Sequence, residues 1–86
     1  MKETTEVSYC KKLLEDMGRY EKLKLIRNSS LNNRERKIIT LRFIEGMSVT
    51  EASSVFNLDE SSFKKAQKKA FIKLYNWHIK TTRLVY

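Results

Sequence analysis

Proline is absent from the chain, and glycine occurs only twice, at Gly18 and Gly46. No other feature limits the fold so strongly. Sheets need several tight turns, and turns draw on glycine and proline, whereas helix formers fill most other positions here. The sequence therefore predicts an all-α fold, a small helical bundle. The 86 residues allow one modest core, so a partner or a second copy would add usefully to its stability.

Apolar spacing places the helices. Val7, Cys10, Leu13, Leu14 and Met17 recur at three- and four-residue intervals, which makes one apolar helical face. The pattern breaks near Gly18 and resumes less cleanly through Tyr20, Leu23 and Ile26. Residues 1–28 are read as an N-terminal helical segment that either caps the rest of the chain or pairs with a second copy. Residues 29–86 are read as a separate helix-turn-helix unit. The polar stretch from Asn28 to Asn33 divides the two, and Asn32 or Asn33 is suited to cap the next helix. That helix carries Ile38, Ile39, Leu41 and Phe43 and ends at Glu45-Gly46, glycine favouring the left-handed residue after a helix. Ser48-Val49-Thr50-Glu51 has the hydroxyl-then-carboxylate spacing of a capping box. Asn57-Leu58-Asp59 interrupts the pattern, and Asp59 or Ser61 caps a final helix spanning 59–77. Phe63, Ala66, Ala70, Leu74 and Trp77 form its inward stripe.

The charge distribution points to a class of partner. Residues 1–60 carry 11 basic and 10 acidic side chains, while residues 61–86 carry seven basic ones, ending with Lys80 and Arg83, and no acid. Almost the whole net charge of +8 therefore lies in the last 26 residues, a one-sided field that attracts polyanions such as nucleic acid. A short helix, a three-residue turn and a longer basic helix make a helix-turn-helix pattern. Ala52-Ser53 offers small side chains where two helices approach, Asn57 tolerates positive φ, and Leu58 plugs the gap behind the turn. With Phe63 and Ala66 inward, Glu60, Ser61, Ser62, Lys64, Lys65 and Lys68 fall on the outer face. Hydroxyls and long cations at the start of such a helix suit base edges and phosphates in a major groove; Glu60 opposes that field.

The stretch Leu31–Leu74 resembles region 4 of the sigma-70 transcription factors, the part that reads the promoter −35 element. The resemblance is carried by Leu31, by Arg34-Glu35 and by the apolar run to Leu41-Arg42-Phe43. Ile44-Glu45-Gly46, the Ser48-to-Glu51 helix start and Lys69-Ala70-Phe71-Ile72-Lys73-Leu74 complete it. It implies that Arg34 and Arg42 hold DNA phosphates and that Glu60, Ser61, Lys64 and Lys65 occupy base-reading positions. Housekeeping members have arginine, glutamate, arginine and glutamine there, so only Lys64 keeps its counterpart's charge, and a site other than the consensus −35 hexamer is expected. Ser62 joins the base readers, and Thr50 and Lys68 join the phosphate contacts. The chain is too short to add the domain that melts the −10 element, so the resemblance implies a stand-alone transcriptional regulator of phage or mobile-element type.

Other chemistry finds no support in the sequence. Cys10 and His78 are far apart, so neither a metal site nor a cofactor is expected. No serine has a histidine base arranged beside it, and no enzyme activity is expected. Cys10 reads as a small hydrophobe and His78 as a surface or boundary residue, and Phe71, Tyr75 and Trp77 fit a core better than a stacking platform. A single cysteine and apolar runs of two or three residues fit a cytoplasmic protein with no transmembrane helix, signal peptide or membrane partner. Double-stranded DNA is the expected partner, with RNA polymerase and a homodimer through the N-terminal helix left open. Two alternatives are a small terminase-like DNA-packaging module and an adaptor that binds polymerase through a region-4-like fold.

Overall fold

Five helices follow one another along the chain: α1 (Thr5–Glu15), α2 (Arg19–Asn28), α3 (Asn33–Phe43), α4 (Val49–Val55) and α5 (Glu60–Leu84), with no strand among the described residues. The computed structural model describes residues 4–84, with side chains described as far as residue 82. The outer ends of the two expected segments, 1–3 and 85–86, and the Arg83 side chain of the basic run lie outside the described residues.

Local chemistry sets the helix ends. The Thr4 hydroxyl accepts from the Val7 amide at 3.3 Å to open α1. The expected break near Gly18 is real: α1 stops at Glu15, and Gly18 is the extended residue before α2. Asn32 caps α3 with a reciprocal box, its side chain accepting from the Glu35 amide at 2.8 Å while Glu35 Oε1 accepts from the Asn32 amide at 3.0 Å. Gly46 then takes φ 71°, the left-handed conformation expected of it. Ser48 and Glu51 form the second box, at 3.1 Å in each direction. The Ser62 amide donates to Asp59 Oδ1 at 2.7 Å, so Asp59 rather than Ser61 caps the last helix. Each cap satisfies amides that would otherwise lack partners, worth about 1 kcal/mol apiece.

The last helix runs beyond the expected end at residue 77, to Leu84. No glycine or proline stops it, and Trp77, His78 and Ile79 remain partly covered by the rest of the chain. Its 25 residues serve two cores. Near its start, Phe63 packs with Ile38 and Ala52, flanked by Leu41, Met47, Val49, Phe56, Leu58 and Ala66. Further along, Ala70, Phe71 and Leu74 pack with Val7, Cys10 and Leu14 of α1, Ile26 of α2, and Leu31 and Ile39. The apolar face of α1 is thus covered within its own chain, and Phe71 lies in the core with no exposure. Burying each such aromatic or leucine stabilises by roughly 1.5–3 kcal/mol. The Tyr9 hydroxyl and His78 Nδ1 share a 3.0 Å hydrogen bond where the first and last helices meet. Lys22 Nζ donates to the Phe43 carbonyl at 3.0 Å and covers the end of α3.

Candidate nucleic-acid interface

The turn between α4 and α5 is built as its residue types require. The Asn57 amide donates to the Ser54 carbonyl at 3.1 Å and the Leu58 amide to the Ser53 carbonyl at 3.0 Å. Asn57 lies at φ 55°, where a short amide side chain tolerates what a β-branched one would not. Ala52 and Ser53 are both buried, so α4 approaches its neighbours over small side chains. The Ser53 hydroxyl is satisfied locally by the Thr50 carbonyl at 3.0 Å.

This scaffold turns one face of α5 outward. Phe63, Gln67, Ala70, Phe71 and Leu74 are buried on one side, while Ser61, Ser62, Lys64, Lys65, Lys68 and Lys69 are exposed on the other. An open groove of about 530 Å³ runs between this face and the start of α3. Arg34, Lys65, Lys68 and Lys69 line it over a floor of Ile38, Ala66 and Ile72. The structure thus brings Arg34 together with Lys65 and Lys68, and it adds Lys69 to them. Glu35 lies in the same groove but is committed, its Oε1 2.8 Å from Lys73 Nζ. Burial pulls the Glu35 carboxyl upward, but the bonds from Lys73 and the Asn32 amide outweigh it, and the group sits below its ordinary 4.5. Asp59 is held below its ordinary 3.8, first by the Ser62 amide, then by the Ser62 hydroxyl, with Lys65 adding a smaller pull.

Four expected contact residues, Arg42, Thr50, Glu60 and Ser62, are already engaged. Arg42, expected at a phosphate, is half-buried, with Nε donating to Gln67 Oε1 at 2.9 Å and Nη1 to the Met47 carbonyl at 2.7 Å. It braces the turn after α3 against α5. The Thr50 hydroxyl donates to Glu60 Oε2 at 3.0 Å. Ser62 is bound into the Asp59 cap. Sequence reasoning overlooked Gln67. Its signal was a polar side chain on the buried side of α5, where it must find a partner.

A short capped helix, a left-handed asparagine turn and a longer helix presenting lysines define a DNA-binding helix-turn-helix domain. Residues 29–76 match the family described as Sigma-70, region 4, and the chain belongs to that family. No curated protein and no solved structure is found to match the chain. The match begins at Ser29, so the whole of α1 and α2 lies outside it. No helix among the described residues is long and apolar enough to cross a membrane, and no cluster among them could hold a metal ion.

Proposed function

We propose that the chain is a sequence-specific regulator of transcription that reads double-stranded DNA with α5 in the major groove. The observation that carries this reading is the exposed, acid-free lysine face of α5 from Lys64 to Lys69, with Arg34 facing it across the groove. In this reading Ser61, Lys64 and Lys65 lie nearest the base edges. Arg34, Lys68 and Lys69 hold phosphates, because long cations in an open groove bind backbone without needing a fixed geometry. A domain of this size buries too little surface for tight specific binding alone, so a second contact, to RNA polymerase or to another copy, completes it. Family membership supports the polymerase contact, and a phage or mobile-element source, with which the lysine-, isoleucine- and asparagine-rich composition is compatible, is part of the same proposal.

The test is a salt titration of binding to promoter fragments, followed by fluorescence anisotropy, with the Lys64→Ala/Lys65→Ala protein beside the wild type. Binding should weaken, and the slope of log K against log salt should flatten by up to about 1.8 if both lysines displace counterions. Unchanged affinity and slope would remove α5 as the DNA-reading element.

A further inference from the structure

The bond between Thr50 and Glu60 gives Thr50 a role other than phosphate contact, and the inference drawn from it rests on the reading of α5 as the DNA-contacting helix. Glu60 opens α5 and Thr50 lies in the first turn of α4, and both are exposed. The Thr50 hydroxyl has one proton, and it is given to Glu60 Oε2 at 3.0 Å. What the hydroxyl retains is acceptor capacity, which a phosphate oxygen, itself only an acceptor, cannot use. The hydroxyl is therefore spent as a phosphate donor. Its effect is to fix the glutamate. A long acidic side chain at the end of a helix is ordinarily free to rotate, and here one oxygen is pinned while the other keeps its lone pairs.

From this geometry we infer that Thr50 and Glu60 form a unit that selects cytosine in the bound site. Thr50 is the positioning residue, and Glu60 makes the base contact. A carboxylate can only accept. In the major groove the donors are the cytosine N4 and adenine N6 amines. Adenine carries the N7 lone pair beside its amine, which repels a second acceptor, whereas cytosine presents its amine without one. Glu60 also opens the helix whose exposed face carries the lysines, where an anionic backbone would approach. Where no amine meets it, its charge opposes binding. The same side chain thus rewards one base and penalises the others, which is discrimination by mismatch as well as by match.

The experiment is selection of bound duplexes from a random pool, with affinities then measured on the enriched site and on its single-base variants. Wild-type protein should enrich one position for cytosine, and replacing that base should weaken binding roughly tenfold. Glu60→Gln should move the preference at that position toward adenine, which a carboxamide pairs through N6 and N7, and should tighten binding to mismatched duplexes. Thr50→Val should broaden the preference at the same position only, with Thr50→Ser restoring it. If Thr50→Val instead weakened all duplexes equally and left the base preference intact, Thr50 would be a phosphate contact and the unit would not exist. If wild-type protein enriched specific sites but Glu60→Gln left every position unchanged, the inference would fall while the reading of α5 stood. Enrichment of no duplex by the wild type would overturn both.

Discussion

Replacing Arg42 separates a side chain that holds DNA from one that holds the protein together. In the structure its guanidinium spans Gln67 on α5 and the Met47 carbonyl beyond the end of α3, at 2.9 and 2.7 Å. Hydrogen bonds with one charged partner contribute about 1.5–3 kcal/mol each when the partner is left unsatisfied. Arg42 is only half-buried, so water recovers part of that loss, and the two bonds together fall short of the roughly 3 kcal/mol that the low end would give. Arg42→Ala should therefore destabilise by roughly 2 kcal/mol. For a domain of this size that lowers Tm by roughly 8–16 °C. Thermal melting followed by circular dichroism measures it, and a double-mutant cycle with Gln67→Leu should return a coupling of about 1 kcal/mol.

DNA binding supplies the opposing readout. A phosphate contact removed with Arg42 should reduce the salt slope by about 0.9, whereas a lost internal brace leaves the number of displaced counterions unchanged in the folded fraction. Arg42→Lys sharpens the distinction. It keeps the charge a phosphate needs but loses the planar fork that reaches two acceptors, so most of the instability should remain while the slope stays that of the wild type. An Arg42→Ala protein that melts with the wild type and loses about 0.9 of slope would refute the brace.

Two further outcomes follow from the titrating groups. Glu35 and Asp59 both sit below their ordinary carboxylate values of 4.5 and 3.8, so their bonds stabilise the fold above those values and are lost as pH falls through the lower folded ones. Tm should hold steady down to about pH 5 and then decline; Glu35→Gln should start lower and decline less, and an acid limb identical to wild type would contradict the assignment. Burial, with a smaller push from Glu6, raises the Cys10 thiol to about 12, and its Sγ lies 3.3 Å from the Phe71 carbonyl. A thiol reagent at pH 8 should label Cys10 only as fast as the protein opens, and rapid stoichiometric labelling of folded protein would count against the packing of α1 on α5.

The features legible in the sequence are those decided within a few residues. Asn32, Ser48 and Asp59 cap because each stands three positions before an amide that needs an acceptor. Gly46 and Asn57 lie at positive φ because few other residues accept it. The lysine face of α5 could be read because the opposite stripe at Phe63, Ala70 and Leu74 leaves it nowhere else to point. What escaped the sequence depends on partners brought close by tertiary packing. Arg42 looks like any cation in a basic protein until Gln67, 25 positions later, is placed against it. Thr50 and Glu60 are ten positions apart, on opposite sides of the turn, and their bond follows from how that turn folds back. Gln67 was the one clue available, since an amide among buried apolar residues requires a polar neighbour.

The length of α5 explains why the segment outside the matched region belongs to the same folding unit. A helix that ended with the Phe63 cluster would leave a small core of three fully buried apolar residues, Ile38, Ala52 and Phe63, close to the lower limit of independent stability. Because α5 continues without a break, its second half supplies Ala70, Phe71 and Leu74 to Val7, Cys10 and Leu14 of α1. Tyr9 meets Tyr75 edge-on at 5.1 Å along the same seam. Unfolding either core would fray the helix that both share, and each therefore raises the cost of opening the other. The lysines sit on the part of α5 that bridges the two, so they are presented from a rod fixed near both ends. Such a rod would hold the proposed base-edge contacts within the narrow geometric tolerance that hydrogen-bond reading demands.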